Sequence, residues 1–296
     1  MRVAVTGGTG AIGVHVCDEL RGAGYDVVAV DRVPPKEDQP FVRVDLMDRE
    51  ATAEALKGFD QIVHLAAIPD PYSDPPEVVI GENTRTTFNV MEAARTNGVK
   101  RVVYGCSDSS TGFGIHNTAL RPLYLPLDED HPLWPHESYS LSKHFGERMC
   151  ETYAKAYQLE TISLRYQYVM IKRVEKVAKE QAQRAKEGFF DAKHAWLGGY
   201  ISVRDVARAC LASVAYTFPV DQDQPYEAFF LSARNTLYPV PTMEVFQAIW
   251  DEVPPIKDPS YYEQDPYASA YDIRKAERLM GWKPQDEWKD IDQFAF

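Results

Sequence analysis

An apolar run from Met1 to Val5 breaks without a spacer into Thr6, Gly7, Gly8, Thr9, Gly10, Ala11, Ile12 and Gly13. A strand that ends in glycines at 7, 10 and 13 is the pattern of a phosphate loop. Those glycines let the chain turn sharply, approach a pyrophosphate closely and pack the next helix on the strand, with helix N–H groups facing the anion. The surroundings agree. Ile12, Val16 and Leu20 recur at helical spacing over Ala11 to Arg21, and Gly22 and Gly24 stop that helix. A second strand, Tyr25 to Val30, ends in Asp31, 18 residues beyond Gly13. A carboxylate there accepts hydrogen bonds from both adenosine ribose hydroxyls and repels a 2′-phosphate, so NAD is expected rather than NADP. Arg32 pulls the other way, because a guanidinium can pair with that phosphate.

Strand and helix patterns then alternate. Phe41 to Val44, Gln61 to Leu65, Arg101 to Tyr104 and Thr161 to Arg165 read as strands, and Arg49 to Lys57, Thr84 to Asn97 and Glu137 to Tyr157 as helices. This order predicts an α/β fold, a Rossmann-type doubly wound parallel sheet with a smaller C-terminal substrate-binding portion. The expected division is 1–165 for the dinucleotide-binding domain and 166–296 for the smaller portion, with about 198–233 returning to the first. Phe113 to Pro135, which holds Pro122, Pro126, Pro132 and Pro135, is expected as a long loop near the site. Later segments are less regular. Helices are expected over Ile171 to Gly188, Val203 to Tyr216, Met243 to Trp250 and Ile273 to Met280, and a short strand over Ala228 to Ser232.

Charge narrows the function classes. With 32 basic against 44 acidic residues the chain lacks the electrostatic footprint of a nucleic-acid binder. The four cysteines, Cys17, Cys106, Cys150 and Cys210, are widely spaced and form no metal-ligand pair, so no metal is expected and a reducing compartment is the simplest home. No apolar stretch reaches membrane-spanning length, and the chain opens on a core strand, so neither a membrane anchor nor a cleaved leader is expected. These readings point to the cytoplasm.

Tyr139 and Lys143 lie four residues apart in a predicted helix, so their polar ends converge on one face. A phenol titrates near pH 10, and bringing it to about 7 takes roughly 4 kcal/mol of preferential stabilisation of the phenolate. A lysine in a desolvated cleft supplies much of that, which makes Tyr139 a candidate general base toward a substrate hydroxyl. Ser107 stands just past a predicted strand, at the carboxyl edge where open α/β sheets bind ligands, and can donate to the substrate oxygen.

Taken together, Thr6 to Gly13, His64-Leu65-Ala66-Ala67, Asn83, Ser107 and the Tyr139/Lys143 pair resemble the extended short-chain dehydrogenase/reductase family, in its NAD-dependent epimerase/dehydratase branch. Further echoes are Leu164-Arg165-Tyr166, Val203 with Asp205, Val206 and Ala207, and Lys275-Ala276 before Gly281-Trp282. The resemblance implies that Gly7, Gly10, Ala11, Ile12 and Gly13 wrap the NAD pyrophosphate, Asp31 and Arg32 hold the adenosine ribose, and Asp45 and Leu46 flank the adenine. It places Leu65, Ala66 and Ala67 along the cofactor cleft, Asn83 behind the loops, Tyr139 and Lys143 at the nicotinamide ribose and Tyr166 near the nicotinamide. Ser107, Tyr139 and Lys143 take the catalytic roles. Ile68, Asp108, Ser109, Tyr168 and Trp196 are expected on the substrate side. The family habit of pairing two long helices implies a homodimer through Thr84 to Asn97 and Glu137 to Tyr157.

Departures from that pattern narrow the reaction. The sugar dehydratases of the family carry an Asp-Glu pair where Asp108 and Ser109 stand, which argues against dehydration. Where nucleotide-sugar epimerases hold a diphosphate with an asparagine and an arginine, this chain has Tyr168 and the pair Gly198-Gly199. Fewer donors for a diphosphate favour a substrate without a nucleotide. Gly112-Phe113 after the serine loop resembles uronate dehydrogenases, but Ala195 and Trp196 occupy the place of their substrate-binding arginine. Lys193, His194, Lys172, Arg173 and Arg121 are the cations left for a carboxylate. The leading expectation is an NAD-dependent oxidoreductase on a sugar or sugar acid, with a nucleotide-sugar 4-epimerase holding tightly bound NAD as the alternative.

Overall fold

A computed structural model describes residues 1–113, 120–171, 183, 197–220 and 222–288. The chain divides into two compact units. Unit 1 comprises Met1–Ser107, Glu137–Leu164 and Ala207–Ala228, and unit 2 comprises Asp108–His136, Arg165–Val206 and Phe229–Phe296.

The first strand, β1 (Arg2–Thr6), pairs in parallel with β2 (Asp26–Asp31) on one side and β4 (Gln61–His64) on the other. A short β3 (Phe41–Arg43) extends the sheet beyond β2, and β5 (Arg101–Ser107) pairs in parallel with β4. With β6 (Glu160–Tyr166) and the late strand β9 (Tyr226–Leu231) the order is β3-β2-β1-β4-β5-β6-β9. The strand order reverses at β1, so the β1 and β4 carboxyl ends frame the crevice where such sheets hold their ligands. Val3, Ala4, Val5, Ile62, Val63, Val102 and Val103 are fully buried. A parallel strand covered on both faces requires such continuous apolar sequence rather than alternation.

The helices of unit 1 are α1 (Gly13–Gly22), α2 (Arg49–Ala55), α3 (Pro76–Asn97) and α4 (Ser138–Tyr157), with α3 packed on α4. The start of α3 differs from the sequence expectation, which began at Thr84. Pro75 and Pro76 look like breakers, yet a proline in the first turn lacks only an N–H that would have no partner anyway, and its φ suits a helix. Asn83 therefore sits within a helix rather than before one.

Along the chain, α5 (Val203–Ala215) begins in unit 2 and continues into unit 1. Unit 2 has its own core around Phe113, Leu125, Leu127, Phe230, Phe246 and Tyr271. It contains a two-stranded parallel sheet of β7 (Tyr168–Met170) and β8 (Tyr200–Ser202), a 3₁₀ turn at Asp108–Thr111, and the helices α6 (Thr242–Ile249), α7 (Pro259–Gln264) and α8 (Arg274–Met280). Two of the sequence echoes meet here, since Trp282 Nε1 donates to the Asp205 carbonyl and the Asp205 carboxylate accepts from the Gln285 and Asp286 N–H groups. The helix expected over Ile171 to Gly188 lies outside the described residues, apart from Ile171 and Gln183.

Candidate active site

The loop after β1 is built by close backbone approach. Gly7 has φ +68°, and a Cβ on it would stand 2.8 Å from the Ala66 nitrogen. A Cβ on Gly13 would fall 2.1 Å from the Gly7 carbonyl oxygen. No side chain fits either place. The loop is closed by Gly10 N–H donating to Gly7 O at 3.0 Å, and α1 starts directly behind it, so the partner-seeking N–H groups of its first turn face the sheet edge.

At the end of β2 the Asp31 carboxylate accepts from Thr9 N at 3.3 Å and from Val33 N at 3.2 Å. It is thus fixed beside the phosphate loop, where a ribose would need it. Arg32 is engaged by Glu82, with 3.7 Å between Nη1 and Oε2. Asp45 accepts from Met47 N, and Asn89 Nδ2 donates to the carbonyls of Leu46 and Met47, fixing the turn where the adenine is expected. Leu65, Ala66 and Ala67 follow β4, and Leu65 N donates to Thr6 O.

Lys143 links the candidate catalytic residues of unit 1. Its Nζ donates to the Gly105 carbonyl at 2.8 Å and lies 5.7 Å from the centre of the Tyr139 ring. Gly105 and Ser107 are two apart on β5 and share a face of the strand. The ammonium therefore lies near the phenol ring and hydrogen-bonds the strand that carries the serine. Burial pulls Lys143 down to about 8, with the Cys106 sulfur opposing. Helix α4 reaches the strand this closely because Gly146, one turn on, leaves room for Tyr104, whose hydroxyl would lie 2.1 Å from a Cβ there. The start of α4 is held by Glu137, whose carboxylate accepts from Tyr139 N and Ser140 N while Ser140 Oγ accepts from Glu137 N. That cap fixes the first turn, and with it Tyr139.

A buried polar chain joins the loop to this helix. The hydroxyl of Thr87 donates to Asn83 O, so it must accept from His64 Nε2, which leaves Nδ1 to accept from Thr6 Oγ1 at 2.6 Å. Burial, with Lys143 contributing, holds His64 neutral, its pKa lowered to about 3. Asn83 Oδ1 accepts from Ile68 N at 2.7 Å, and its Nδ2 donates to Ile68 O and Ser142 Oγ. Ser142 in turn donates to Tyr139 O. Sequence reading located Asn83, and Thr6 only as part of the phosphate-loop motif, but missed the roles of Thr87, Glu137, Ser142 and Gly146. His64 was legible only as part of a motif, and Gly146, three residues after Lys143, was the available signal for close packing.

The expected substrate-side residues are distributed between the units. Ile68 is buried in unit 1, whereas Asp108 and Ser109 lie in the buried 3₁₀ turn of unit 2 and Tyr168 at the start of β7; Tyr166, expected near the nicotinamide, ends β6. Trp196 lies outside the described residues, as do Lys193, His194, Lys172 and Arg173. Among the described residues no group of three His, Cys, Asp or Glu could hold a metal ion.

A glycine-bound phosphate loop at the switch point of a parallel sheet, with a tyrosine and a buried lysine one turn apart on a neighbouring helix, defines a dinucleotide-dependent oxidoreductase fold. Residues 3–227 match the model of the NAD dependent epimerase/dehydratase family, and the chain belongs to that family, within the extended short-chain dehydrogenases/reductases. NAD is its cofactor, and Gly7, Gly13 and Asp31 leave the shape and the acceptors that it needs. Among relatives, the uronate dehydrogenase of Pseudomonas syringae pv. tomato is 32% identical over 55% of this chain and 58% of that protein. The L-arabinose 1-dehydrogenase (NAD(P)(+)) of Haloferax volcanii is 29% identical over 80% of this chain and 90% of its own. The crystal structure of the Thermus thermophilus UDP-glucose 4-epimerase in complex with NAD is 25% identical, covers 97% of this chain and 95% of that one, and superposes with a TM-score of 0.67.

Proposed function

We propose that the protein oxidises a hydroxyl of a sugar or sugar acid that carries no nucleotide. Bound NAD supplies the hydride acceptor. Tyr139 removes the hydroxyl proton, Ser107 holds the substrate oxygen by hydrogen bonding, and Lys143 favours the phenolate and binds the nicotinamide ribose. Gly7, Gly10, Ala11, Ile12 and Gly13 cradle the pyrophosphate, Asp31 and Arg32 border the ribose, Asp45 and Leu46 the adenine, and Leu65, Ala66, Ala67 and Tyr166 the nicotinamide half. Ile68, Asp108, Ser109, Tyr168 and Trp196 contact the substrate. The observation that carries the chemistry is the Lys143 ammonium set between Gly105 O and the Tyr139 ring.

Freedom from a nucleotide is supported by what Gly198 and Gly199 do. Each is packed against a side chain, Tyr238 and Gln167 respectively, and neither these glycines nor Tyr168 brings a cation for a diphosphate. The likeness to L-arabinose and uronate dehydrogenases is in keeping with this. The second reading, a nucleotide-sugar 4-epimerase, draws on the likeness to the Thermus thermophilus enzyme. Purified protein given NAD⁺ with aldoses, uronates and polyols is expected to accumulate NADH, with Tyr139→Phe slower by about 10²-fold or more. Interconversion of UDP-sugars without net NADH, and no reduction on the panel, would replace the first reading by the second.

The protein works in the cytoplasm as a homodimer on this reading. All four cysteines are buried and none is in a disulfide, as a reducing compartment leaves them, and cell fractionation checks the location. On unit 1, Phe88 of α3 is 43% exposed and Phe145 of α4 39% exposed, large apolar surface suited to a second copy.

A further inference from the structure

Lys143 is 3% exposed, and among the described residues its ammonium makes one hydrogen bond, to Gly105 O at 2.8 Å. An ammonium has three donors. What faces it besides that carbonyl is aromatic. The centre of the Tyr139 ring lies 5.7 Å from Nζ, and that of the Tyr104 ring closer still, at 5.3 Å. Both distances are within reach of a cation–π contact, which strengthens as water is excluded. Tyr139 is the proposed base, whereas Tyr104 takes no part in the proton transfer.

The fold brings that second ring to the lysine. Tyr104 and Cys106 are two apart on β5 and share the face that α4 covers. The Tyr104 ring enters the space left by Gly146, and the Cys106 sulfur lies 3.7 Å from Lys143 O. Tyr104 is 2% exposed, so it meets the ammonium away from water. The His64 ring stands 5.8 Å from the Tyr104 ring and is neutral, so it does not compete with Lys143 as a cation. Two further titratable groups flank the lysine among the described residues. The Cys106 sulfur favours its charged form, and Glu147, one turn further along α4, is engaged by Arg148 Nη2 and Cys106 Sγ.

We infer that the face of the Tyr104 ring holds the Lys143 ammonium by cation–π attraction, which makes Tyr104 a positioning residue of the Tyr139/Lys143 pair. This role rests on the oxidation proposed above, in which a charged lysine favours the phenolate. Burial leaves Lys143 titrating at about 8, close enough to neutral pH that the ring face sets how much of the cation survives there. A side chain of the same shape without electron density on that face would pack as well and hold the cation less.

Fluorine withdraws electron density from a ring face and alters its shape little, so phenylalanine and its 4-fluoro, 3,5-difluoro and 3,4,5-trifluoro forms are placed at position 104. The Lys143 midpoint is read by NMR from pH 6 to 11 in full-length protein labelled with ε-¹³C-lysine, its signal being the one absent from Lys143→Met. Tyr104→Phe is expected to keep the wild-type midpoint within about 0.3, and the fluorinated series to lower it stepwise, by about 0.5–1 at the last member. A midpoint that stays put or rises along the series means that Tyr104 only fills space, and the inference is overturned. If loss of the hydroxyl unfolds the protein, 3-fluorotyrosine and 3,5-difluorotyrosine, which keep it, carry the same expectation. NAD⁺ reduction with D-glucuronate, L-arabinose and D-galactose gives the second readout. At pH 6, where Lys143 is charged throughout the series, the rate is expected unchanged, and at pH 8 the trifluoro form is expected to be about 2–5-fold slower than Tyr104→Phe. A loss of equal size at both pH values, or none at pH 8, removes the positioning role. Should none of these sugars reduce NAD⁺, the functional reading fails, and the Tyr104 contact stands or falls on the Lys143 midpoint.

Discussion

Lys143 is a charged group in surroundings that favour its neutral form, and its energetics follow from one number and one partner. Burial lowers it from 10.5 to about 8, so below pH 8 the folded protein carries a cation that the unfolded chain holds more easily. From pH 8 to 10.5 the folded lysine is already neutral while the unfolded one still loses its proton, and the penalty fades. Its full size is about 3 kcal/mol. Replacing it by methionine leaves Gly105 O without this donor, at about 1 kcal/mol. Lys143→Met is therefore expected to be more stable than wild type by about 2 kcal/mol at pH 7, visible as a higher Tm, with the gain shrinking as pH climbs from 8 to 10.5. Its NAD⁺ reduction falls by about 10²-fold or more. A lower Tm at pH 7 would show that the ammonium has further partners that stabilise it. The pairing with Tyr139 was legible because a four-residue interval fixes a shared helix face. The link through Thr6, His64, Thr87 and Asn83 was not, since it joins residues up to 81 positions apart by hydrogen bonds that no spacing encodes.

The elements themselves show where sequence periodicity reaches and where it stops. Strands β1, β2, β4 and β5 were readable because burial on both faces demands unbroken apolar runs. The pair β7 and β8 escaped notice, because three residues hold no period and their partners are 32 positions apart. In α3 and α4 the inward stripe is clear, but both helices also leave large apolar residues outside. Phe88 and Phe145 are expected to be covered by a second copy of the chain. Light scattering after gel filtration should then give twice the chain mass for wild type and the single mass for a Phe88→Glu/Phe145→Glu variant with unchanged far-UV circular dichroism. A wild type that runs at the single mass at micromolar concentration removes the dimer.

At the scale of the whole molecule, the two units carry titrating groups that push stability in opposite directions with pH. In unit 1, burial depresses His64 from 6.5 to about 3, so its contribution is complete above pH 6.5 and is lost as the unfolded chain takes up a proton at lower pH. In unit 2, burial raises Glu129 from 4.5 to about 7, although Phe230 N donates to its Oε1 at 2.7 Å and favours the ionised form. A carboxyl raised in the folded state stabilises fully below pH 4.5 and loses that contribution as pH rises toward 7. The part of this that survives its partial solvation is about 1–2 kcal/mol. All five tryptophans belong to unit 2, so tryptophan fluorescence reads the surroundings of residues of that unit. Lowering the pH from 7.5 to 5.5 is expected to raise the fluorescence-detected Tm in wild type. Glu129→Gln, which can still accept from Phe230 N, should begin at the higher value at pH 7.5 and show no such rise. The circular dichroism signal, to which unit 1 also contributes, should turn downward once protonation of His64 favours the unfolded chain, and His64→Gln should blunt that loss below pH 6. A fluorescence Tm that falls from pH 7.5 to 5.5, or that rises equally in Glu129→Gln, would assign the acid response to other carboxyls and leave Glu129 ionised in the folded protein.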